Sequence, residues 1–214
     1  MLSFQKIFAI DRDPNCRLNR EPPESGDLEI VASAWVDYLE GLLLSQGSTE
    51  ADAEDHWVPS PLSPHLMMLA FQRAAARMLP GIRFEAEEFR AEIPAPVRIP
   101  LSTGALAASF AEWQCPVNCI EPKTCPAIHA ERTWDMLPAL QSYFSKHFGM
   151  DSAHVLQCRH FGHGVGTIPM SEIRAAFASL LDNLAKAGIG RVLLATVSRC
   201  HGLIGSARGR RLQP

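Results

Sequence analysis

No apolar run in this sequence is long enough to cross a bilayer. The strongest, 66–71 and 192–197, fall far short of the ~20 residues a transmembrane helix needs. Asp11-Arg12-Asp13 interrupts the N-terminal stretch before a signal-peptide core has formed, so the expectation is a cytoplasmic protein without a membrane. Excess charge is missing as well: 20 basic and 23 acidic residues leave a net charge of -3, which gives nucleic acid no global attraction. No nucleophile–base pair and no pair of carboxylates at acid/base spacing stands out, which leaves catalysis undecided. No internal repeat is evident.

What is present starts with 214 residues that are 47% hydrophobic, enough to bury a sizeable core. Lys6 to Ile10 reads as a short buried strand. Val31, Trp35, Tyr38 and Leu42 recur at helical spacing, with Gly47 as a stop. His56-Trp57-Val58 reads as a brief strand. Ser63 and Pro64 suit the cap and first turn of a helix whose Met67, Phe71, Ala74 and Met78 share a face. Pro94, Pro96 and Pro100 make 92–100 an extended connection. A strand is expected within Ala105 to Trp113 and a helix over Leu137 to His147. Another strand is expected at His154 to Gln157, then a helix capped by Ser171 and striped by Ile173, Phe177, Leu180 and Leu184, then a buried strand over Arg191 to Val197. Strand, helix, strand in this order predicts a right-handed βαβ unit. The expected fold class is therefore α/β, a mainly parallel sheet flanked by helices. Its expected division is a first half over 1–81, a Pro-rich connection over 82–102 and a cysteine-bearing half over 103–214.

Six cysteines in a chain expected to stay in a reducing compartment point to ligation or redox chemistry rather than disulfides. Cys115, Cys119 and Cys125 lie close together among Pro116, Asn118, Pro122 and Pro126, which disfavour regular structure. A proline-stiffened loop that gathers thiolates suits a metal or an iron–sulfur cluster. The spacing lacks the paired C-x-x-C of a zinc ribbon, while proline after cysteine, at 115/116 and 125/126, is familiar from iron–sulfur loops. An iron–sulfur cluster is therefore the expected cofactor, with zinc the alternative. Cys200, Cys158, His129 and His201 are candidates for the fourth ligand. Cys200 is favoured because it follows the strand ending at Val197, at the edge where α/β sheets gather functional groups.

Cys158, His160 and His163 could form a second ligand cluster, or the imidazoles could bind backbone or an anion. Gly162, Gly164 and Gly166, read between a strand and a helix, could cradle a phosphate, though the full dinucleotide spacing is missing. The other reading is a loop that needs positive φ. Asp11 stands where a dinucleotide fold puts its ribose-binding acid, yet no glycine turn precedes it; as a turn former it needs none. The basic run Arg208-Gly209-Arg210-Arg211 reads as a solvated terminus.

Four segments carry a family resemblance: Phe8-Ala-Ile-Asp11-Arg-Asp-Pro14, Trp57-Val-Pro59-Ser-Pro61-Leu-Ser-Pro64-His65-Leu66, Cys115-Pro-Val-Asn-Cys119-Ile-Glu-Pro122 and Ala195-Thr-Val-Ser-Arg-Cys200-His201-Gly202. Through them the chain resembles a bacterial TrkA-like family related to the NAD-binding domain of potassium-uptake regulators. The resemblance implies a Rossmann-like half followed by a cysteine-bearing half, and it groups Cys115, Cys119, Cys125 and Cys200. Family members begin with a strand and glycine-rich turn that is lacking here, so a truncated start or lost nucleotide binding is expected, with weak or no affinity for NAD. The expected function is a cysteine-ligated centre in a redox or regulatory role. Alternatives are a nucleotide-sensing module with structural zinc, or a non-enzymatic subunit of a larger complex. A protein partner or homo-oligomer is possible.

Overall fold

A computed structural model describes residues 5–22, 27–45, 55–59, 65–148, 153–162, 164–187 and 190–212. Strand β1 (Ile7–Asp11), a short helix α1 (Arg17–Arg20) and strand β2 (Leu28–Ala32) open the chain, and β1 and β2 pair in parallel as a two-stranded sheet. Helix α2 (Trp35–Leu44), strand β3 (His56–Trp57) and helix α3 (Leu66–Met78) follow. Then come β4 (Ile82–Glu87), β5 (Val97–Pro100) and β6 (Leu106–Ser109). A small hairpin of β7 (Thr124–Cys125) and β8 (Ala130–Glu131) precedes helix α4 (Met136–His147). The rest is β9 (Ala153–Gln157), β10 (Arg159–Gly162), β11 (Val165–Pro169), α5 (Met170–Ala187), β12 (Gly190–Val197) and β13 (His201–Arg211).

The main sheet has the order β5-β6-β13-β12-β9, with β4 joined to the far half of β13. Its centre is β13, which pairs antiparallel with all of β12, with β6 through His201 to Ile204 and with β4 through Ser206 to Arg211. Among the described strands of this sheet only β12 and β9 pair in parallel. The expected mainly parallel, Rossmann-like sheet is therefore incorrect: the sheet is mixed and mostly antiparallel. The error lies in β13. Its Gly202, Gly205 and Gly209 hid a strand, and its arginines looked like a solvated tail. An ideal Cβ on Gly205 would stand 2.9 Å from the His65 ring and 3.2 Å from Met68, so glycine is what lets α3 approach the strand. The arginines are paired: Glu87 receives Arg191 at 2.6 and 2.9 Å and Arg208 at 2.8 Å, and Arg210 reaches Glu85 at 3.1 Å.

Alternation along β12 splits the core between the two faces of the sheet. Val192 and Leu194 join α2, α3 and α5 through Leu39, Phe71, Ile173, Phe177 and Leu180. Leu193, Ala195 and Val197 join α4 through Met136, Leu140 and Phe144. On the first face the buried Glu40 of α2 takes guanidinium groups from Arg73 and Arg77 of α3, at 2.8 and 2.6 Å.

Other expectations need smaller corrections. Val31 lies in β2, so the helix starts later, at Trp35. The proline-rich connection contains β5, an edge strand, where missing amide donors cost little. Gly162, Gly164 and Gly166 belong to an antiparallel hairpin of β10 and β11 instead of a strand-to-helix turn. Asp11 ends β1, where its side chain accepts the Asp13 amide at 2.9 Å as a turn former does. Gly47, Ser63, Pro64 and His163 lie outside the described residues. Among those described, no helix is long and apolar enough to cross a membrane.

His65, buried between α3 and the sheet with Nε2 3.0 Å from Thr196 Oγ1, is held at a pKa of about 3 by burial. Glu87 is lowered to about 2, chiefly by its bonds from Arg191 and then Arg208, against the cost of burial. Both folded pKa values lie below the unfolded ones, so the unfolded chain takes up protons first. Stability is complete above about 6.5 and falls in two stages on acidification, through His65 toward about 3 and through Glu87 from about 4.5 toward about 2. Urea denaturation at several pH values should show both stages, with His65→Gln flattening the upper one and Glu87→Gln reducing the lower, to which Glu121 also contributes.

Candidate functional site

The carboxyl ends of β6, β12 and β9 share one edge of the main sheet, because β6 and β12 both oppose β13 and β9 runs with β12. The turn from β12 into β13 carries Ser198, Arg199 and Cys200 to that edge. The long loop from β6 to α4 packs onto the turn: the Phe110 amide donates to the Cys200 carbonyl at 2.8 Å and the Met136 amide to the Arg199 carbonyl at 2.9 Å. Cys200 thus follows the carboxyl end of β12, with β13 between β12 and β6 in the sheet.

Glu121 fastens the loop. Its Oε1 accepts the Ser198 hydroxyl at 2.6 Å and the Cys200 amide at 3.1 Å, its Oε2 accepts the Arg199 amide at 2.9 Å, and His160 Nδ1 stands 3.3 Å from Oε2. Burial raises its pKa, yet these donors prevail and hold it at about 2. Glu121 and His129 are the non-glycine residues with positive φ among those described, at 54° and 53°. Both lie in the cysteine loop. Such a backbone costs on the order of 1 kcal/mol or more, which Glu121 offsets through its carboxylate. The loop also rests on the β10–β11 hairpin: a Cβ on Gly164, at φ 72°, would overlap the Val117 carbonyl oxygen at 2.0 Å.

The thiols face N–H groups. Cys119 Sγ accepts the Glu121 amide at 3.3 Å. Cys200 Sγ accepts Arg132 Nε and Trp134 Nε1, each at 3.3 Å, yet burial outweighs these donors and leaves its thiol raised above the ordinary value. Cys125, buried in the small hairpin, is pushed up by burial, but the Ala127 and Ile128 amides, the Arg132 charge and the Trp113 indole together bring its pKa below the ordinary thiol value. The Trp113 indole nitrogen has no partner of good hydrogen-bond geometry, so its effect on Cys125 is electrostatic more than a formed bond. Trp113 and Trp134 meet edge to face with ring centres 5.7 Å apart. Cys115 is raised by burial, then by the charges of Cys200, Cys119 and Cys125, which makes the four thiols electrostatic neighbours. Its Sγ lies 3.7 Å from His201 Nε2, and the other ring nitrogen of His201 is 3.0 Å from Ser109 Oγ. His201 keeps an edge to solvent, yet the protein around its ring holds its pKa below the ordinary value.

Cys115, Cys119 and Cys125 lie in the clamped loop, and Cys200 lies in the turn on which that loop packs. Among the described residues no three His, Cys, Asp or Glu side chains are gathered so as to hold one metal ion. Cys158 is a neighbour of a different kind: burial and Glu121 push its thiol up to about 12, so it stays protonated. His160 serves Glu121, and His129 is an exposed residue in the turn after Cys125. Asp11 belongs to the separate β1–β2 sheet. The sequence reading passed over Glu121, Arg132 and Trp134. The only hint was their place between the cysteines and the next helix.

These features define a mixed α/β protein with a thiol-rich loop clamped over one sheet edge. Residues 66–209 match the family model AF_1314_C, described as an uncharacterized protein's C-terminal domain, and the chain belongs to that family. No curated protein and no solved structure matches it.

Replacing Glu121 by glutamine puts an amide nitrogen among donors and removes the charge they stabilise. Loss of those bonds should cost about 2 kcal/mol, lowering the melting temperature by roughly 4–8 °C for a chain of this size. Thermal unfolding followed by circular dichroism measures the drop.

Proposed function

We propose that Cys115, Cys119, Cys125 and Cys200 hold an iron–sulfur cluster and that the protein works in redox chemistry. The observation that carries this reading is the set of N–H groups turned toward sulfur at Cys119, Cys125 and Cys200. A thiol is a weak acceptor, whereas a thiolate is a strong one and is the form that binds metal. Four neighbouring thiolates without a cation would repel one another.

A cluster is preferred to a single zinc ion because proline follows cysteine at 115/116 and 125/126 and the paired C-x-x-C of a zinc ribbon is missing. The cluster would supply one-electron transfer. Arg132 and Trp134 would donate to one of its thiolates, and such hydrogen bonds raise a cluster's potential. Cys115 and Cys119 are only half-buried, which brings that side of the site near the surface. No comparable observation favours the nucleotide-sensing reading that goes with the TrkA-like resemblance.

Anaerobic purification followed by iron, sulfide and zinc analysis tests the proposal. Iron and acid-labile sulfide are expected in equal amounts, lost in Cys119→Ser and Cys200→Ser and retained in Cys16→Ser. Arg132→Gln should keep the iron while shifting the midpoint potential negative. Stoichiometric zinc in place of iron, or protein that refuses ferrous iron and sulfide on reconstitution, would refute it.

A further inference from the structure

Beside the thiols, on the other side of Glu121, lies an open cavity of about 300 Å³. Its walls are the cysteine loop at 120–123, the end of β9 and start of β10 at 157–160, and Arg199 from the β12–β13 turn. Lys123, Arg159, Arg199 and His160 line it, with Glu121 as the acid among them. The Glu121 carboxylate is already engaged at both oxygens by Ser198, the Arg199 and Cys200 amides and His160. It remains a charged acid, set against the three cations Lys123, Arg159 and Arg199 on the same walls.

The cations keep capacity for a ligand. Arg159 meets Glu172 through Nη1 at 2.9 Å, Lys123 meets Glu131 at 3.1 Å, and Arg199 stands 3.7 Å from Asp135, too far for a hydrogen bond. None of those three acids lines the cavity. A guanidinium carries five N–H donors and an ammonium three, so most remain for a guest. Two arginines on the wall from different elements offer the planar donor forks that suit an oxyanion. The volume is at the small end for ligand sites.

We infer that this cavity binds a small molecule through a phosphate or carboxylate group, held by Arg159, Arg199 and Lys123. A guest there would touch the wall formed by Glu121, whose amide donates to Cys119 and whose carboxylate holds the turn bearing Cys200. Ligand and thiols would then share one residue. The inference stands on the cavity alone and does not require a cluster.

Calorimetric titration at low ionic strength, with inorganic phosphate and with succinate as separate probes, tests it on protein as purified. At least one probe should bind with a millimolar or tighter Kd, roughly 4 kcal/mol of binding. Arg159→Gln and Arg199→Gln should each weaken it about tenfold, a loss of one charged contact, and added salt should weaken it further. Arg90→Gln, an exposed arginine outside the cavity, should change nothing. Binding of phosphate alone assigns the phosphate class, and of succinate alone the carboxylate class. Absence of heat with both probes at about 10 mM, or affinity indifferent to both cavity substitutions, overturns the inference. Metal content measured on the same samples reports separately on the redox proposal, so either can fail without the other.

Discussion

The main sheet depends on one strand finding three partners. β13 bonds to β12 on one side and to β6 and β4, end to end, on the other. Without it β12 and β9 would remain a parallel pair, β5 and β6 an isolated hairpin, and β4 would have nothing to join. Backbone bonds alone do not fix such a strand. Its Gly205 admits the helix of His65 and Met68, and its Arg208 and Ser206 meet Glu87, which also holds Arg191 of β12. Register is thereby set by packing on one face and by charge across three neighbouring strands.

At the edge of that sheet, order comes from a different source. The cysteine loop contributes few apolar groups: Cys125 is buried, while Val117, Ile120 and Ile128 are exposed. Polar contacts hold it instead. A single carboxylate gathers donors from the β12–β13 turn, with the His160 ring 3.3 Å away, and indole, guanidinium and amide groups face the sulfurs. A site fastened in this way keeps its geometry through directional bonds, which specify position more sharply than apolar contact does.

Helical periodicity was readable wherever one face is buried. α3, α4 and α5 lie close to where their apolar stripes put them, and the long apolar run of β12 is a buried strand. Strands that break pattern were hidden. β13 is interrupted by three glycines and ends in arginines, β5 ends in proline, and β4 carries Arg83, Glu85 and Glu87 in a segment that reads as surface. With these unseen, the strands left over looked parallel. The thiol cluster was legible because cysteines near prolines are chemically conspicuous. Glu121 was not, since a glutamate beside a proline has no such mark and its importance comes from a turn far away in the chain.

The order of elements also dictates an order of assembly. β4, β5, β6, the cysteine loop, β9 and β12 are all synthesised before the strand that unites them. Their contacts with β13 span long stretches of chain, and closing such loops slows folding. Until β13 docks, the turn bearing Cys200 has no fixed place, and the thiols of the loop stand open to oxidants and stray metals. A nascent chain is therefore most vulnerable in the interval when the loop thiols have been made and β13 has not.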